Sequence, residues 1–235
     1  MKKYGFWRTD KPKEAGFSHE LISCDFEEIK HKTTMDKLEC LPEPEMDTLL
    51  KAFEANVKRI PDREFLGTRE GDHYEWISWK QAQRAAFNLS AGICKLDLCP
   101  ITQQEGKPWR FMGIQSKNRK EWNIAHLANM YMNTTTIAMY DTLGPDAIRF
   151  VVNQTELTSV TCSNEYVEKF AQLVLEEANT EIKTMHRLKN IVSFEKVLDK
   201  DVLEKVKAAG LNLYSLDEVM AIGIDLINSP ESYRQ

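Results

Sequence analysis

Apolar positions along this chain change their spacing from segment to segment, and the spacing predicts the elements. From Asp47 to Arg59, Leu49, Leu50, Phe53 and Val57 fall on one helix face, and Pro61 stops the helix. Glu64 to Arg69 and Tyr74 to Ser78 then flank Glu70-Gly71-Asp72, which predicts a hairpin. Ser78 and Gln81 form a capping box. The helix it opens carries Ala82, Ala86, Leu89, Ile93 and Leu96 in one stripe. A strand is expected over Trp109 to Ile114, followed by a helix capped by Asn118 with Glu121 three residues on. Trp122, Ala125, Ala128 and Met132 repeat at helical spacing, and Trp122 is expected to be that helix's buried anchor.

The alternation continues to the end of the chain. Thr134 to Tyr140 ends in a β-branched, apolar run that reads as a buried strand. Pro145 fits a first helical turn, with Ile148, Val151 and Val152 inward and Gly144 expected at positive φ. Leu157 to Cys162 is a strand, Glu165 to Asn179 a helix, Asn190 to Phe194 a strand, and Asp201 to Ala209 a helix ended by Gly210. Leu211 to Tyr214 is a short strand. Ser215 and Glu218 box a short helix that Gly223 is expected to end. Strands alternating with helices of this length predict βαβ units: an α/β fold with a mainly parallel sheet flanked by helices. The expected divisions are an irregular, extended arm over 1–45, ending in Leu41-Pro42-Glu43-Pro44, an α/β subdomain with its hairpin over 46–228, and a polar tail over 229–235.

Composition narrows the function. The 235 residues carry a net charge of −5, so nothing favours nucleic acid as a partner. No stretch reaches the roughly 18 apolar residues of a membrane span. Cys24, Cys40, Cys94, Cys99 and Cys162 are scattered, without zinc-ligand spacing, and read as reduced thiols in a cytoplasmic protein.

The missing motifs matter as well. The ten glycines never occur as Gly-x-Gly, and no Gly-x-Ser-x-Gly elbow is present. The five histidines lie far apart, and His126 reads as a satisfied or surface histidine on a helix face. Asn118 to Trp122 reads as a helix start, Tyr140 to Pro145 as a turn, and Lys183, His186, Arg187 and Lys189 as a solvated connection. The open alternatives are a general base at His126, a catalytic Glu121, a pocket at the Tyr140–Pro145 turn, and an anion or membrane contact at the basic run.

Taken in order, three stretches resemble the N-terminal region of long-chain fatty-acid–CoA ligases, members of the AMP-forming adenylate ligase superfamily. They are Glu75-Trp76-Ile77-Ser78-Trp79, the run from Gly113 to Trp122, and Tyr140-Asp141-Thr142-Leu143-Gly144-Pro145. Val152 to Leu157 and Tyr214 to Val219 with Gly223 continue the likeness, which runs from about 47 to 225.

The resemblance implies a two-step reaction with ATP, Mg²⁺ and CoA, through an acyl-adenylate to a thioester. It also implies that the phosphate loop, the adenine and ribose sites and the C-terminal lid lie beyond this sequence. No catalytic, cofactor-binding or metal-ligating residue is therefore assigned here, and the chain alone is expected to be inactive. Tyr140 to Pro145 becomes a supporting junction that does not touch ATP. Against the resemblance, the arm is expected to lack the membrane anchor of some family members. The implied partner is the remaining ligase portion, or a protein covering the face it would occupy. The location is cytoplasmic, with peripheral contact at an ER, mitochondrial or peroxisomal membrane left open. The alternatives are a non-catalytic assembly subunit derived from such a ligase, and a lipid- or acyl-CoA-binding module.

Overall fold

The computed structural model describes residues 5–7, 9, 12–19, 21–23, 45–178, 180–181 and 183–228. Two compact units are formed, Met1–Asp47 and Thr48–Gln235. In the first, β1 (Gly5–Trp7) pairs antiparallel with β2 (Leu21–Ser23). Leu41 to Pro44 and the tail over 229–235 lie outside the described residues.

The second unit opens with α1 (Leu49–Arg59), whose Thr48 side chain accepts from the Lys51 amide. The expected hairpin is β3 (Glu64–Glu70) paired with β4 (His73–Ser78), turning at Gly71 with φ +62°. Helix α2 (Trp79–Lys95) starts at the reciprocal Ser78–Gln81 capping box. Ala82, Ala86, Leu89 and Ile93 in its predicted stripe are fully buried.

The strand expected from Trp109 is two elements. Lys107–Trp109 (β6) folds back on Thr102–Gln104 (β5), and the sheet strand is β7 (Phe111–Gln115). The reason is the Glu105-Gly106 turn, with φ of +52° and +73°, a backbone shape that matches the twist of a two-residue hairpin.

The remaining elements alternate: α3 (Lys120–Tyr131), β8 (Thr135–Met139), α4 (Pro145–Thr155), β9 (Ser159–Cys162), α5 (Asn164–Glu176), β10 (Asn190–Ser193), α6 (Lys200–Ala208), β11 (Asn212–Ser215) and α7 (Leu216–Asn228). The five strands β7 to β11 form one parallel sheet in the order β11-β10-β9-β7-β8. The chain first steps from β7 to one neighbour, then crosses back and winds the other way. This is a doubly wound α/β sheet with its switch point between β7 and β9. β7, β9 and β10 are buried at every position, as strands covered on both faces are.

Two cores follow from the pleat. On one face Met112, Ile114 and Val192 pack under α1, α2, α3 and α7. On the other, Phe111, Val160, Cys162 and Ile191 pack with side chains of α4, α5 and α6.

Five local expectations are corrected. The first residue before α3 is Arg119, not Asn118, and it makes no side-chain cap bond; Glu121 is drawn to the Arg119 guanidinium instead. Trp122 is only half buried, resting against the core beside His126, because α3 lies over an edge of the sheet. β8 is that edge strand and is partly exposed, so its β-branched run does not mark a buried strand. Gly144 has φ −72°, since Pro145 already supplies the helical start. Finally, α7 runs straight through Gly223, and residues 224–228 are helical. Gly223 is buried against α2, where it allows two backbones to meet.

Candidate functional site

Open α/β sheets present ligands to the crevice outside the carboxyl ends of their strands, at the switch point. Here that edge is built by the ends of β7, β8, β9 and β10. Gln115 closes β7 and is fully buried; its side-chain amide donates to the Tyr140 carbonyl at 3.1 Å, tying β7 to the turn after β8. Its Oε1 lacks a partner. The Ser163 hydroxyl donates to the Ser116 hydroxyl at 2.8 Å, a bridge across the switch point itself. Lys169 of α5 donates to the Leu143 carbonyl at 2.7 Å and pins the Tyr140–Pro145 turn from the other side. Tyr140 points outward, 74% exposed.

Arg119 is the main cation at this edge. It lies 2.6 Å from Glu121 and 2.5 Å from Glu195, and its guanidinium covers the Phe194 ring at 5.2 Å. Burial works against its charge, but the bonds to Glu121 and Glu195 outweigh that and hold its pKa above the usual arginine value. Lys117 faces Glu165 at 3.9 Å. Arg119 and Lys117 are therefore answered by carboxylates of the same chain. The edge is a braced platform rather than an open anion receptor. Glu121, the catalytic alternative at this motif, is engaged as an ion-pair partner.

The remaining titratable candidates have structural surroundings. His126 Nδ1 lies 2.9 Å from the Thr136 hydroxyl, which also accepts from Asn129 at 2.9 Å, and burial lowers the histidine's pKa. It is a satisfied histidine, as its helical position predicted. Cys99 is pushed up to about 12 by burial, and Cys162 is pushed up for the same reason, so neither thiol is a ready nucleophile. Among the described residues no group of three His, Cys, Asp or Glu could hold a metal ion.

The basic run is an ordered corner. Lys183 donates to the Glu177 and Ala178 carbonyls at 2.5 and 2.8 Å, closing the end of α5, and Arg187 pairs with Glu156 at 3.5 Å. Its centre is Glu177, buried to 7% exposure. Glu177 accepts from the Thr184 hydroxyl and from the Met185 amide at 2.8 Å, and Arg149 of α4 lies 3.3 Å away. Burial raises the Glu177 pKa, but these donors and Arg149 outweigh it and hold the carboxyl below its ordinary value. The folded chain then binds this proton less readily than the unfolded one. Its stabilisation is complete above the ordinary value of 4.5 and is lost as the pH falls through the lower folded value. Urea midpoints at pH 6 and pH 3.5 should therefore differ more for the native chain than for Glu177→Gln. Parallel losses in the two proteins would remove Glu177 as the source.

Sequence spacing could not find these groupings. Gln115, Ser163 and Glu195 reach one edge only because the strand order brings β7, β9 and β10 together.

Residues 53–221 match the family model described as "AMP-binding enzyme", and the chain belongs to that family. Fatty acyl-CoA synthetase A of Dictyostelium discoideum is 34% identical over 202 residues, covering 83% of this chain and 27% of that protein. Long-chain-fatty-acid--CoA ligase 5 of Mus musculus is 30% identical over 184 residues, covering 78% and 25%. The chain thus spans about a quarter of the length of the curated relatives it matches. Among solved structures, the adenylation domain of a carboxylate reductase from Mycobacterium chelonae superimposes with a TM-score of 0.61 at 15% identity, over 77% of this chain and 30% of that one. That likeness shows that the chain shares part of the fold of an adenylation domain. Among the described residues no helix is long and apolar enough to cross a membrane.

Proposed function

We propose that this chain is the first α/β portion of a long-chain fatty-acid–CoA ligase and does not activate a fatty acid by itself. The observation that carries the reading is the family match over 53–221 together with relatives named as fatty acyl-CoA synthetases. In this reading ATP and CoA are handled by groups outside these 235 residues, since the chain has no glycine-rich loop to cradle phosphates. Its own residues brace the carboxyl edge. Gln115, Ser163 and Arg119 tie the ends of β7, β8, β9 and β10 to one another, so that a neighbouring catalytic portion meets a rigid surface.

The first test is nucleotide binding. The chain alone should bind ATP·Mg²⁺ no better than about millimolar, weaker than about −4 kcal/mol. Co-expression with the remaining portion of a fatty acyl-CoA synthetase should give a soluble complex that makes acyl-CoA. Micromolar, Mg²⁺-dependent heat with the lone chain would reveal a phosphate site in it and overturn its proposed inactivity. A complex without acyl-CoA synthesis would favour a non-catalytic assembly subunit.

A further inference from the structure

Three helices meet around a groove of about 640 Å³, lined by Glu54 of α1, by Lys80, Gln83, Arg84 and Phe87 of α2, and by Tyr131 of α3. That volume falls within the usual range for small-molecule sites. Phe87 is 48% exposed, and its ring meets that of Tyr131 edge-on at 5.6 Å. The groove therefore has an aromatic wall that the described residues leave partly uncovered.

The charges around this wall are uneven. Lys80 and Arg84 stand four residues apart on α2, so two like charges share one helix face, an arrangement that repels. Among the described residues neither side chain forms an ion pair. The carboxylate of the groove does not answer them. Glu54 accepts from the Tyr131 hydroxyl through one oxygen and from the Gln83 amide at 2.7 Å through the other. Each of its oxygens already has a donor, and it is used to hold α1, α2 and α3 together.

We propose that this groove is a binding site for an anionic amphiphile. A carboxylate or phosphate head lies between Lys80 and Arg84, relieving their repulsion, and the apolar body covers Phe87 and the Tyr131 ring. The site is independent of the ligase reading: it lies on the helical layer over one face of the sheet and uses no residue of the carboxyl edge. Its success or failure leaves the acyl-CoA complementation result unchanged.

The experiment is calorimetric titration of the full chain with decanoate, decyl phosphate and inorganic phosphate, each amphiphile below its micellar concentration. One amphiphile at least should bind saturably at one site, and the tighter of the two identifies the preferred head. Lys80→Gln and Arg84→Gln should each weaken it about tenfold, the loss of one charge-assisted hydrogen bond. Phe87→Ser should weaken the amphiphile while leaving any binding of inorganic phosphate unchanged. Both cations and Phe87 are exposed, so circular dichroism of the variants should match the native chain. Three results would overturn the site: no saturable binding of either amphiphile, affinities unmoved by all three substitutions, or inorganic phosphate bound as tightly as decyl phosphate.

Discussion

Replacing Gly223 by alanine is expected to destabilise the chain by at least about 2 kcal/mol, although alanine is the better helix former. In an unencumbered helix the same change would gain roughly 1 kcal/mol. Here a Cβ on Gly223 would stand 1.9 Å from the Asn88 carbonyl oxygen and 2.8 Å from the Gly92 amide nitrogen. The crossing is reciprocal, since a Cβ on Gly92 would stand 1.9 Å from the Val219 carbonyl oxygen. Both obstacles are backbone, which cannot rotate aside as a side chain can. Helices α2 and α7 would have to separate, and Leu89, Ile93, Leu216 and Val219 would lose the close packing that buries them. Gly92→Ala should cost a comparable amount. The double variant should cost less than the two added together, because one crossing is lost once. Urea unfolding of the four proteins measures all of this. A midpoint at or above the native one for Gly223→Ala would mean that α7 does not cross α2 at this point.

The second large effect belongs to α5. Phe170 is fully buried in the core beneath α4, α5 and α6, and Phe170→Ala should cost about 3–5 kcal/mol through lost transfer energy and the cavity left behind. Much of an ordinary domain's stability is of that size. Trp122 is the residue the sequence singles out as an anchor, yet its partly exposed ring gives up less on truncation, about 2 kcal/mol. The same urea series ranks the two. A larger loss for Trp122→Ala than for Phe170→Ala would contradict the burial order and place the sheet's main support on α3.

Much of the architecture was legible because local chemistry and the tertiary fold agree. The Ser78–Gln81 box, the hairpin turning at Gly71, the buried stripe of α2 and the Pro145 start of α4 each depend on residues close in sequence. The failures share a cause. β-branched residues at Thr135, Thr136 and Ile137 suit a central strand and an edge strand alike, and position in the sheet is not a local property. Gly223 reads as a helix stop because an isolated glycine near a helix end usually is one. Its real role depends on Asn88 and Gly92, more than a hundred residues away. Asn118 has the side chain of a cap, but Arg119 with Glu121 and Glu195 organises that end of α3 instead.

The candidate site was less legible than the fold. Motif order pointed to the ligase family without marking any residue of this chain as catalytic. The carboxyl edge and the groove draw on residues from separate elements, and no window of the sequence contains either set.

By itself the sequence determined the alternation of strands and helices, the places where most of them start and stop, and the family to which the order of motifs belongs. These follow from side-chain periodicity, capping and turn chemistry, whose range is a few residues. Only the tertiary structure decided which strands are central, where Arg119 finds its two carboxylates, why α7 continues through Gly223, and how Glu54, Arg84 and Tyr131 come to share one groove. Those outcomes rest on the crossover that returns the chain from β8 past β7 to β9, and on close packing between helices distant in sequence. Local spacing does not encode either.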